Sequence, residues 1–305
     1  MIECQVGVLA HEPDESLERA VQVVATQLLA QVAIVEISVI PRQQLAGDLA
    51  ARLVALDPRV RVLPAVPDGD RTASINAFLR TMRVGIGVLV AEQIIPERDA
   101  VEKLVRILAD PEVGMVGAHR VAADTPAHIA AYLTHLRLRL AHSLSLEIPR
   151  LRDMIAFRRC FDQLPPSASI AEGLIEAIVL HAGLRLQYAP DALAYSPVPR
   201  SLRDFLDERR ALYVEHLALR RQVGHQVASL SGRTALRLAF GELWEAARVL
   251  ITLGSLALLE AFSRLLGIYD YYLRGRTHAV WDIAWTTKRV VRGNGTSPKS
   301  EAEGH

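Results

Sequence analysis

At 305 residues the chain is long enough for one large domain or two ordinary ones, with a core that needs no covalent staples. Hydrophobic residues make up 50% and charged residues 23%, with a mean hydropathy of +0.18, which is apolar for a soluble protein yet too polar for a multi-span membrane protein. Formal net charge is +1, from 35 Lys and Arg against 34 Asp and Glu, and that balance argues against a nucleic-acid binder. The two cysteines, Cys4 and Cys160, lie far apart and read as packed, reduced thiols. The start, MIECQVGVLAHEPDE, has an acid at position 3 and only a brief apolar run, so no signal peptide is expected and a cytoplasmic location follows.

In chain order, apolar runs at Gln5–Ala10, Ala33–Ile40, Val60–Pro64, Gly85–Val90 and Val113–Ala118 predict strands. Helical patterns fall between them, near Glu15–Leu29, Gln44–Ala55, Thr72–Arg80 and Asp99–Leu108. Such alternation predicts an α/β fold, a mostly parallel sheet flanked by helices on both faces. Ligands of these sheets sit at the strands' carboxyl ends, here the loops His11–Asp14, Pro41–Gln44, Pro67–Arg71 and Ala91–Pro96. The second half predicts a helix at Ala127–Leu146, a strand at Met154–Arg158, a helix at Ile170–Ala182, a strand at Leu184–Ala189 and a helix from Leu202 to about Arg221. His135 and His142 lie seven apart on the first of these helices without a companion carboxylate or cysteine, so no zinc site is read. Beyond Ser231 come two helical segments, ending near Leu266 and Arg289, and then a tail, GNGTSPKSEAEGH, of disordered composition.

Within Val84–Leu108 an apolar strand meets a short polar turn, Pro96 and an amphipathic helix. PRLRDMIAFRR, from Pro149, follows a P-x-x-G-E-x-x-A-F-R pattern, and Gly183, Tyr188, Pro190, Ala192, Asp204-Phe205, Arg209-Arg210 and His216 follow in order. With this series the chain resembles the family-2 glycosyltransferases over roughly residues 3 to 230. The resemblance implies a GT-A nucleotide-diphospho-sugar transferase fold. By the same resemblance, a divalent cation, Mg²⁺ or Mn²⁺, steadies the leaving diphosphate, and a carboxylate base deprotonates the acceptor hydroxyl.

Three acidic positions of the family pattern are replaced. The loop after the second strand, Ile40-Pro41-Arg42-Gln43-Gln44, has no acid. Where the family carries D-A-D for the metal, this chain has Ala91-Glu92-Gln93. The base position falls on Ala171 or Gly173, leaving Glu172 between them. Glu92 is therefore the metal candidate, against a solvated loop glutamate, and Glu172 the candidate base, against a carboxylate that simply favours a helix start. Arg71 and Asn76 match the family's G-K-x-x-A-L-N segment near the nucleotide phosphates; helix capping by Asp70 or Thr72 is the alternative for that loop. His11 and Glu12 resemble an N-E-E turn against the nucleotide base, with Asp14 as a helix N-cap the other reading. Arg158, Glu208, Arg209 and Arg210 fall in acceptor-side motifs, the last two with a solvent-facing alternative.

The expected organisation is a GT-A domain over 1–230, amphipathic membrane-associated or partner-binding helices over 231–292, and a disordered tail over 293–305. The uncharged run Val249–Leu259 has 11 residues, against the roughly 20 that span a bilayer. Tyr269, Tyr271, Tyr272, Trp281, Trp285, Arg274, Arg276 and Lys288-Arg289 follow it, a composition that suits the headgroup region. These features place the protein peripherally on the cytoplasmic membrane face. Two functions stand side by side: transfer of a sugar from a nucleotide sugar to a lipid-linked or polysaccharide acceptor, or a non-catalytic homologue that scaffolds or regulates an active glycosyltransferase.

Overall fold

The structure, a computed structural model, describes residues 1–10, 15–66, 71–165 and 171–206. The chain divides into two units, Met1–Glu242 and Leu243–His305, and every described residue belongs to the first. His11, Glu12, Glu208, Arg209, Arg210 and the whole of 231–305 lie outside the described residues.

In chain order the elements are β1 (Ile2–Ala10), α1 (Glu15–Ala25), β2 (Val32–Pro41), α2 (Gly47–Leu56), β3 (Val60–Val62), α3 (Arg71–Thr81), β4 (Ile86–Ala91), β5 (Ile95–Pro96), α4 (Ala100–Ile107), β6 (Val113–Ala122), α5 (Ile129–Glu147), β7 (Met154–Arg158), α6 (Ala171–His181) and β8 (Arg185–Ser196). They build one eight-stranded mixed sheet in the order β3-β2-β1-β4-β7-β6-β8-β5. Strands β1 to β4 are mutually parallel, β7 runs antiparallel to both its neighbours, and β6 and β8 pair parallel. The expected α/β organisation is what the chain adopts. Two features were not read from the sequence. The two-residue edge strand β5 contains Pro96, a residue that edges tolerate. Strand β8 continues to Ser196, through a register irregularity opposite Ala118/His119.

Side-chain alternation decides the layers. Val6, Val8, Val88, Val90, Met154 and Ala156 face a core shared with Leu17 and Val21 of α1, Leu53 of α2 and Leu104 of α4. Leu9, Leu89, Ile155 and Phe157 face the opposite core, with Ile75 and Phe78 of α3 and Ile175 and Val179 of α6. All six residues of β4 are buried, as a central strand covered on both faces requires. Close approach explains two glycines. A Cβ on Gly87 would stand 2.8 Å from the Phe157 ring, and one on Gly117 only 2.5 Å from the Leu151 side chain. The second packing seats the segment that leads into β7, which carries part of the site.

Among the described residues, no helix is long and apolar enough to cross a membrane.

Candidate functional site

The strand order reverses between β1 and β4, and in open α/β sheets the crevice at such a reversal, outside the carboxyl ends, receives ligands. Here β4 runs out into the turn Ala91-Glu92-Gln93, which backbone hydrogen bonds fix on both sides. Glu92 N–H donates to the Leu9 carbonyl of β1 (3.0 Å), and Ala91 N–H donates to the Asp153 carbonyl (2.9 Å). Because β7 is antiparallel, its beginning reaches this edge, so Arg152 and Asp153 stand beside the turn.

Arg71 opens α3 and Glu172 lies in the first turn of α6; the Arg71 Nη2 group donates to Glu172 Oε1. A carboxylate at a helix start is favoured by the helix dipole, whereas an arginine there is not. Arg71 is thus poorly placed for its own helix, and no acid of that helix's first turn offsets it. Its partner is supplied instead by α6, 101 residues away. The sequence-predicted pair of diphosphate ligand and base are therefore in direct contact.

Asp153 has φ +63°, a conformation that aspartate tolerates better than most residues. Arg120, near the end of β6, donates from Nη1 to Asp153 Oδ2 (2.8 Å) and from Nε to Ser196 Oγ (2.9 Å), Ser196 being the last residue of β8. Burial pushes the Asp153 carboxyl up. The charges of Arg120, Arg152 and Arg71, with the Arg120 hydrogen bond, outweigh burial and hold it down at about 2. One helical turn beyond Glu172, the buried Glu176 behaves oppositely: burial raises it to about 7 against the weaker pull of Arg150.

The other candidates separate. Glu92 is buried within the turn, and Gln93 is exposed. Asn76 does not face this edge chemistry; its side chain accepts from Leu164 N–H (2.7 Å) and donates to the Leu164 carbonyl (2.9 Å), clamping the segment before α6. Arg158 pairs with Ile86, the first residue of β4, and donates to the Leu108 and Asp110 carbonyls, so it sits at the amino end of the sheet, away from the cleft. Arg158 lies there because β7 runs antiparallel to β4, so the last residue of β7 falls beside the first of β4. His142 contacts the Tyr188 hydroxyl (2.9 Å) and stacks on His119 with ring centroids 4.0 Å apart, joining α5 to β6 and β8. Burial first, and His119 second, lower its pKa.

Asp153, Arg120 and Arg152 were missed by the sequence reading. The available signal was a charged residue, Arg120, closing the otherwise apolar stretch of β6 at a carboxyl end.

Among the described residues, the donors at this edge do not fit a divalent cation. Such a site needs hard carboxylate oxygens. The turn offers Glu92, while Asp153 beside it is engaged by Arg120 and Glu172 by Arg71. Among the described residues, no group of three or more His, Cys, Asp or Glu is arranged to hold a metal.

No protein-family model matches the chain, and no curated protein matches it in sequence. Solved structures do match its fold. A mannosyltransferase from Pyrobaculum calidifontis, in complex with GDP-Man and Mn²⁺, superposes with a TM-score of 0.56 at 20% identity, covering 88% of this chain and 81% of that one. Glucosyl-3-phosphoglycerate synthase from Mycobacterium tuberculosis, in complex with Mn²⁺, uridine diphosphate and phosphoglyceric acid, gives 0.51 at 17% identity, over 71% of this chain and 78% of that one. At these identities the likeness is one of fold: the chain has the α/β architecture of GT-A glycosyltransferases.

Proposed function

We propose that the chain binds a nucleotide-diphospho-sugar at the carboxyl edge of β1 and β4 and transfers the sugar to a hydroxyl acceptor. The observation that carries this reading is the Arg71–Glu172 pair, which brings a cation suited to phosphate and an acid suited to proton abstraction together at the reversal of strand order. Support comes from the glycosyltransferase neighbours, which were solved with GDP-Man or with uridine diphosphate.

In the reaction, Glu172 accepts the proton of the acceptor hydroxyl as that oxygen attacks the anomeric carbon. The bond from that carbon to the diphosphate oxygen breaks, and the nucleoside diphosphate leaves with the electron pair. Arg71 stabilises the charge that develops there. The Arg71–Glu172 bond has to open first, so that the guanidinium turns to phosphate while the carboxylate turns to the acceptor. A lipid-linked or polysaccharide acceptor, on the cytoplasmic membrane face and approached through residues 231–292, is the finer form of the proposal. It rests on the resemblance to family 2 and on the aromatic and basic composition of that segment.

A second reading, a non-catalytic homologue that scaffolds or regulates an active transferase, is favoured by the replaced acids at positions 91 and 93 and at 171 or 173. Calorimetric titration with UDP-, GDP- and dTDP-sugars, followed by a product assay, separates the two. Transfer by the wild type, with Glu172→Gln binding the donor but turning over at least about 100-fold more slowly, is the expected result. Donor binding with no turnover in the wild type leaves only the second reading.

A further inference from the structure

Two acids of this edge, Glu172 and Asp153, are engaged by arginines, and the arginine is the more accessible member of each pair. The Arg71 side chain is 36% exposed against 6% for Glu172, and Arg120 is 24% exposed against 15% for Asp153. An anion arriving from solvent meets guanidinium before carboxylate. Arg152 is joined to Asp153 in sequence, at the same edge, and its charge acts on that carboxylate together with those of Arg120 and Arg71.

Resting on the reading above, we propose that guanidinium groups do the work of the divalent cation here: Arg71, Arg120 and Arg152 receive the diphosphate of the nucleotide sugar. Carboxylate and phosphate present the same paired oxygen acceptors to the planar guanidinium fork, so a phosphate can replace a carboxylate partner without the arginine losing its hydrogen-bond geometry. Asp153 and Glu172 act as stand-ins in the empty state, keeping the arginines aimed. With Glu92 counted, three acids and three arginines balance among the described residues of this edge, which becomes receptive to a dianion as carboxylates yield their guanidinium partners. A doubly charged cation arriving from solvent would meet Arg71 and Arg120, the more exposed members of their pairs, before any carboxylate. The proposal accounts for the loss of aspartates at positions 91 and 93, whose added negative charge would compete for the same arginines.

The test uses the full chain and UDP as probe, titrated calorimetrically in metal-stripped buffer with EDTA and again with Mn²⁺. Affinity in EDTA should lie within about tenfold of that with Mn²⁺, and Arg120→Met should weaken it by about tenfold or more. Since Arg120 also holds the half-buried Asp153, Arg152→Gln provides a second variant, expected to weaken binding about threefold and to reduce its salt dependence. UDP binding that falls more than about 100-fold in EDTA overturns the inference and leaves the proposed function standing. Binding in EDTA that ignores both substitutions also overturns it, because the diphosphate then lies elsewhere. If UDP, GDP and dTDP all fail to bind with or without Mn²⁺, the reading beneath it fails as well.

Discussion

The two edges of the sheet satisfy their buried charges in different ways. At the amino edge Glu102 and Arg158 find backbone partners, while Arg59, just before β3, pairs with Asp57. Glu102, buried in the first turn of α4, accepts from the N–H groups of Ala30, Gln31 and Val32 at 3.0 to 3.3 Å, just where β2 begins. Arg158 likewise donates to carbonyls, those of Leu108 and Asp110. At the carboxyl edge, Arg71 meets Glu172 and Arg120 meets Asp153, side chain to side chain. A charge bound to fixed backbone cannot change partner without unfolding the segment that holds it. A charge bound to another side chain can, since one rotamer change releases it. The first arrangement builds structure; the second leaves chemistry available.

The largest effect should come from breaking a backbone-bound charge. Glu102→Ala strands three backbone N–H donors and should cost on the order of 4 kcal/mol in urea denaturation. A loss below about 1 kcal/mol would erase the distinction between the edges.

Asp153→Asn sharpens the other side. The folded carboxyl lies at about 2, below the roughly 3.9 of an unfolded aspartate. The carboxylate therefore contributes stability that is complete above about pH 4 and is lost as pH falls through 2. The variant keeps a residue that tolerates positive φ while losing the charge. It should be about 2 kcal/mol less stable than wild type at pH 7, with the difference closing as the pH approaches 2. A difference independent of pH would mean that shape, rather than charge, holds this residue.

The smallest effect on binding is expected at Arg158. In Arg158→Met, UDP affinity should stay within about twofold of wild type, although some stability is lost. A tenfold weakening would return this residue to the acceptor side of the cleft.

Much of the edge was legible in the sequence because β4 is written plainly: an apolar run, a polar triplet and Pro96. Arg71 and Glu172 were legible through their motifs, and contact between them is the part the motifs did not state. Asp153 stands at the acid position of the P-x-x-G-E-x-x-A-F-R pattern, but the pattern does not state that β7 is antiparallel and presents its beginning to this edge. Asn76 lies five residues beyond Arg71, about one and a half helical turns, within the motif but on another face of α3. Its side chain is used by the Leu164 backbone, and a pattern of residue types carries no information about which neighbour will claim an amide. Glu92 was legible in position, but the acids it would need beside it depend on arginines from β6 and α3, far away in the chain.

Strand β7 is five residues long, about 13 Å from one end to the other at a normal strand rise. Asp153 adjoins one end, and Arg158, anchored to two carbonyls, closes the other. Its middle is clamped between β4 and β6. Mechanically it is a short strut secured along its length and at its far end. Load applied to Asp153, when an arginine changes partner, is carried down that strut to the amino edge. Stiffness at the changeable edge is thus borrowed from the edge that does not change, and the arginines can move while the acid between them stays where it is.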